Sequence, residues 1–121
     1  MIVIKDELET GTAWFDVDDT LVIWEYTDSM ETVTCNNYGK DVTLGIHKPH
    51  LEQLKKFKER GWVIVVWSQG GAEWAEEVVT KLGIENWVDL VITKPRYIFD
   101  DLETRYWMPH RRYIHYEKKT P

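Results

Sequence analysis

The chain has 121 residues, with 15 basic and 21 acidic side chains, a formal net charge of −6 and 43% hydrophobic residues. That length suits one domain over residues 1–121, with enough apolar material for a packed core. A lone cysteine, Cys35, excludes an internal disulfide and a cysteine-based metal site. No apolar run approaches a membrane span, and the acidity argues against binding nucleic acid through the whole surface.

A single cysteine fits a reducing, cytoplasmic setting. The N-terminus, MIVIKDELET, turns acidic too early for a secretory signal. The charge is uneven. Residues 1–103 hold 20 acids and 10 bases, whereas residues 104–121 hold one acid and five bases.

Thr12 to Phe15 reads as a short strand ending at Asp16. Residues 22–47 mix β-branched, aromatic and polar side chains around a turn signal, Asn36 to Gly39, and read as a hairpin flap. Pro49 suits the first turn of a helix. Leu51, Leu54 and Phe57 form its apolar stripe, and Gly61 ends it. Trp62 to Trp67, WVIVVW, is continuously apolar, the pattern of a strand buried on both faces of a parallel sheet. Trp74, Val78, Val79 and Leu82 mark a second helix ending at Gly83. Leu90 to Thr93 reads as a third strand, Tyr97 to Phe99 as a fourth and Tyr113 to Tyr116 as a fifth.

Strands alternating with helices predict an α/β fold with a parallel sheet flanked by helices. Ligands bind such sheets at the carboxyl ends of their strands. The residues expected there are Asp16 and Asp18, then Ser68, then Lys94, then Asp100 and Asp101. Three aspartates within four positions, Asp16 to Asp19, repel one another and need a counter-charge if they are withdrawn from water.

These elements, in this order, resemble the motifs of the haloacid dehalogenase-like (HAD) hydrolase superfamily, most of whose members are phosphatases. DVDDT, Asp16 to Thr20, resembles the Asp-x-Asp-x-Thr nucleophile motif. Ser68 resembles the second motif, Lys94 in ITKP the third, and Asp100 with Asp101 in IFDD the acidic fourth. The resemblance covers roughly residues 12–101. It implies a Rossmann-like, HAD-like fold and a phosphomonoesterase acting through an aspartyl-phosphate. Asp16 would be the nucleophile and Asp18 the acid/base. Ser68, Gln69 and Lys94 would hold the phosphoryl oxygens, and Thr20 would orient Asp18 or cap the turn. Mg²⁺, which favours oxygen ligands, would sit among Asp16, the Asp18 carbonyl, and Asp100 or Asp101. Dehalogenases of the family lack the second aspartate, so Asp18 favours phosphate chemistry.

Plainer readings stand beside these. DVDD alone is usually a solvated acidic turn. A calcium loop of EF-hand type is rejected, because Leu21 and Thr27 stand where Gly and Glu are needed. Ser68 would serve equally as a helix N-cap, Lys94 as a solvated lysine, and Asp100 and Asp101 as caps of the following turn.

Family cap domains enter after the first motif or between the third strand and the fourth motif. Here the second place is closed and the first holds only a hairpin, which implies an open site. Open sites of the family accept phosphate on large substrates or borrow a lid from a second copy, as in a homo-oligomer. In the tail, Arg105, Arg111, Arg112, Lys118 and Lys119 interleave with Tyr106, Trp107, Tyr113 and Tyr116. Such a pattern can hold a nucleic-acid strand or a phosphorylated sugar, though an edge strand with a solvated basic end is favoured. Four histidines, His47, His50, His110 and His115, show no ligand spacing. The rivals to a phosphatase of small phosphorylated molecules are a nucleic-acid-end phosphatase or nucleotidase and a non-catalytic phosphate-binding regulatory domain.

Overall fold

The computed structural model describes residues 1–7, 9–108 and 110. The main sheet has three parallel strands, β1 (Thr12–Asp16), β5 (Val63–Ser68) and β6 (Leu90–Thr93), in the order β1-β5-β6. Between β1 and β5 the chain forms β2 (Val22–Ile23), β3 (Thr32–Asn37), β4 (Lys40–Ile46) and helix α1 (Lys48–Glu59). Helix α2 (Ala72–Leu82) joins β5 to β6.

The apolar run Val63 to Val66 is buried throughout, which is why β5 takes the central position. Alternation along the strands sends Phe15, Ile64, Val66 and Val91 to one face, where they pack with Leu54 of α1 and Val78 of α2. Both helices therefore cover the same face. On the other face Trp14 and Trp67 stack edge to face at 4.5 Å. Phe57 of α1 meets both Phe15 and Trp62.

Each helix boundary has a local cause. Pro49 stands in the first turn of α1, and His47 caps it by accepting the His50 N–H on Nδ1 at 3.2 Å. At the start of α2, Gly71 offers no side-chain cap. The Ala72 N–H is instead satisfied by Thr93 Oγ1, 2.9 Å away at the end of β6. Gly83 closes α2 in the left-handed conformation that glycine adopts without a Cβ penalty. The start of β6 is tied to β5 through Asp89, which accepts the Ile64 N–H at 2.8 Å and the Lys58 ammonium at 2.7 Å.

Strands β2, β4 and β3 form a separate antiparallel sheet, so the 22–47 segment is the expected hairpin flap. Gly45 has no room for a side chain: a Cβ there would lie 2.5 Å from that of Tyr26. The flap lies against α2. The Glu77 carboxylate accepts the Asn36 N–H at 2.7 Å, and the Tyr38 hydroxyl donates to the Gly70 carbonyl at 2.8 Å.

One expected element is absent. Tyr97 to Phe99 forms no strand, and Tyr97 and Phe99 are 85% and 96% exposed. Pro95 removes a backbone donor as the chain leaves β6, and among the described residues no neighbouring strand pairs with these three apolar residues. The expected strand at residues 113–116 lies outside the described residues, as do Arg111, Arg112, Lys118 and Lys119 of the basic tail. Among the described residues no helix is long and apolar enough to cross a membrane.

Candidate functional site

In-register pairing brings the carboxyl ends of the parallel strands to one edge. Asp16 lies opposite Trp67, and Ser68 opposite Thr93, with Lys94 next in the chain. The Lys94 amide is fixed by donating to the Ser68 carbonyl at 3.0 Å.

Asp16 is half-buried at the tip of β1. Its Oδ1 stands 3.1 Å from Lys94 Nζ, and its Oδ2 accepts the Thr20 hydroxyl at 3.2 Å. Thr20 thus orients Asp16, not Asp18 as the sequence reading allows. The Lys94 ammonium also lies 5.8 Å from the centre of the Trp67 ring, a cation–π contact. The counter-charge that the acidic run requires is therefore partly supplied from within the chain.

Asp18 is held from three sides. Its Oδ1 accepts the indole N–H of Trp24 at 2.8 Å and that of Trp74 at 3.1 Å, and its Oδ2 accepts the Ser68 hydroxyl at 3.2 Å. Ser68 is fully buried, and its Oγ also accepts the Gly70 N–H at 2.9 Å. The serine hydroxyl is thus turned toward Asp18 and its own loop. It does not cap α2, whose N-cap is Gly71. Gln69 sits exposed in that loop.

The acidic loop itself is tightly wound. Asp19 takes a positive φ of 58° and accepts the Trp24 amide on Oδ1 at 3.1 Å. The amides of Thr20, Leu21 and Val22 all donate to the Val17 carbonyl. His50 braces the turn from α1, its Nδ1 lying 2.6 Å from the Thr20 carbonyl, which requires the proton on that nitrogen. His47, stacked on His50 at 3.8 Å, donates its own amide to the Leu21 carbonyl. Burial, then the neighbouring His50, lower the His47 pKa. The role of His50 carries no signal in the sequence, because its partner, the Thr20 carbonyl, is a backbone atom thirty residues back along the chain.

Asp100 and Asp101 are exposed and stand on the irregular segment after β6. Asp100 caps its own turn, accepting the Leu102 N–H at 3.0 Å. Among the described residues no group of three or more His, Cys, Asp or Glu side chains is gathered so as to hold a metal ion. The oxygen donors of Asp16 and the Asp18 carbonyl have the chemistry Mg²⁺ favours. Asp100 and Asp101, the carboxylates expected to complete the set, are not gathered with them among the described residues. Cys35, buried in the flap, has its thiol pushed up in pKa by burial and then by Glu77, the opposite of an activated nucleophile.

Fold and loop together define a mixed α/β protein that gathers two carboxylates, a buried hydroxyl and an ammonium at the carboxyl edge of a parallel sheet. No protein-family model matches the chain, and no curated protein or solved structure matches it.

Proposed function

We propose that the protein is a phosphomonoesterase of HAD-like type, acting through an aspartyl-phosphate on a phosphorylated small molecule or an exposed phosphate group. The observation that carries the reading is the Asp16–Lys94 pair. A carboxylate at the end of one parallel strand faces an ammonium that follows another, 3.1 Å apart and both partly open to solvent. An anionic nucleophile approaches an anionic ester only where charge is neutralised, and Lys94 stands ready to shift toward the phosphoryl oxygens.

The steps use the chain's own residues. Asp16 attacks phosphorus, and the bond from phosphorus to the ester oxygen breaks. That oxygen takes a proton from Asp18. Asp18 then accepts a proton from a water that attacks the aspartyl-phosphate, releasing inorganic phosphate and restoring Asp16. Thr20 and Lys94 orient Asp16, and Ser68 orients Asp18. His50 holds the loop that carries both.

The test is hydrolysis of p-nitrophenyl phosphate by the purified chain, with acid trapping of a phospho-enzyme. Wild type is expected to turn over and to trap label, and Asp16→Asn to do neither. Turnover by Asp16→Asn equal to that of wild type would overturn the reading.

A further inference from the structure

The two tryptophans that reach Asp18 divide its oxygens. An indole N–H donates and never accepts, and each carboxylate oxygen offers two in-plane lone pairs. Both sites on Asp18 Oδ1 are taken, by Trp24 at 2.8 Å and Trp74 at 3.1 Å. A proton on Oδ1 would displace an indole N–H, and that of Trp74, a residue only 4% exposed, would find no water in exchange. Among the described residues, the hydrogen bond to Oδ2 is that of the Ser68 hydroxyl, at 3.2 Å. The Ser68 hydroxyl takes one of the two lone pairs on Oδ2, so a proton on the other displaces no donor.

We propose that Trp24 and Trp74 are positioning residues that hold Asp18 by Oδ1, so that Oδ2 carries and delivers the catalytic proton. The inference rests on the reading of Asp18 as acid/base. In the step, the Oδ2–H bond breaks as the leaving ester oxygen gains that proton, and the new carboxylate is already surrounded by three donors. Trp24 is itself placed for this. Its amide is held by Asp19 at 3.1 Å, and its ring lies 6.1 Å from that of Trp74.

The contact and the role are tested separately in the full chain. The indole N–H resonances of ¹⁵N-labelled protein, assigned by Trp→Phe variants, read the contact without any activity. Asp18→Asn is expected to move those of Trp24 and Trp74 and to leave that of Trp14, which donates to Thr12 Oγ1 at 2.7 Å, in place. Unmoved Trp24 and Trp74 resonances overturn the contact. The role is read from Trp24→Phe, which keeps an aromatic ring and removes the donor. It is expected to lower kcat for phenyl phosphate roughly 10-fold, the scale of one hydrogen bond to a charged group, with KM unchanged. The loss on p-nitrophenyl phosphate, whose leaving group needs little protonation, should be much smaller. Equal losses on the two esters, or none, overturn the role. If wild type hydrolyses neither ester, the phosphatase reading fails and the role with it, while the resonances still decide the contact.

Discussion

Lys94 Nζ lies 3.1 Å from Asp16 Oδ1, with the two side chains 33% and 32% exposed. At that exposure the pair contributes little to folding, about 0–1 kcal/mol. Its value lies in the charge it brings to the edge of the sheet. Lys94→Ala is therefore expected to leave the melting temperature nearly unchanged. It should cut phosphatase turnover roughly 10²–10³-fold, as does loss of one preorganised donor to a developing anion. Calorimetry and p-nitrophenyl phosphate kinetics on the same preparation check both halves. A large drop in melting temperature with turnover preserved would make Lys94 structural.

The flap is fastened to α2 through a carboxylate, so its docking is expected to depend on pH. Glu77 is lowered from its ordinary value of 4.5, first by the Asn36 amide and then by Lys81. A carboxyl depressed in the folded state contributes stability above its unfolded pKa and loses it as pH falls through the folded value. Glu77→Gln should therefore be less stable than wild type near neutrality. The difference should shrink once pH falls below 4.5 and onward through the lower folded value. Melting temperatures of both proteins along an acid series test this. A difference that stays constant with pH would remove Glu77 from the docking.

Much of this arrangement is legible in the sequence, for reasons that differ by element. WVIVVW can only be a strand buried on both faces or a buried helix segment, and the flanking Gly61 and Ser68-Gln69-Gly70 leave length for the strand alone. The stripes of α1 and α2 and their terminal glycines are local signals. Asp16, Ser68 and Lys94 meet because parallel strands place their ends together, whatever lies between. The triplet Tyr97 to Phe99 misleads because β propensity reports a fit to a sheet surface, and among the described residues no strand stands there to pair with it. Trp74 reads as one member of an apolar stripe. Its indole N–H, and that of Trp24 beyond the loop, find Asp18 only through the tertiary fold. The flap's bonds to Glu77 and Gly70 are equally silent, since a backbone amide and a carbonyl leave no mark on residue type.

His47 gives a second pH dependence, at milder acidity. Its Nδ1 must stay unprotonated to accept the His50 N–H, and burial followed by the charge of His50 lowers its pKa from 6.5. The neutral ring is the folded form, so its contribution is present above 6.5 and is lost as pH falls through the depressed folded value. Asparagine is also a good N-cap and does not titrate. His47→Asn should match wild type near neutrality and become the more stable of the two as pH falls below 6.5. Parallel thermal melts check the crossover. Parallel pH profiles for the two proteins would show that the cap does not titrate through His47.

The last prediction concerns metal and the acidic segment after β6. Asp16 already has Lys94 beside it, so one cation is present without any metal. A phosphate monoester brings about two further negative charges to that edge, and one ammonium does not balance both ester and nucleophile. Chelation with EDTA is therefore expected to abolish turnover, and added Mg²⁺ to restore it. Asp100 and Asp101 are exposed and are not gathered with Asp16 among the described residues, so the Mg²⁺ dependence of their variants tests whether either joins the site when substrate and metal are present. Asp100 is tied to its own turn through the Leu102 amide, whereas among the described residues no hydrogen bond of that kind fixes Asp101. Asp101→Asn should raise the Mg²⁺ concentration needed for half-maximal rate more than Asp100→Asn does. Titrating activity against Mg²⁺ in wild type and both variants decides the matter. Full turnover in EDTA would mean that Lys94 neutralises the site alone. Equal Mg²⁺ curves for all three proteins would mean that neither aspartate comes in.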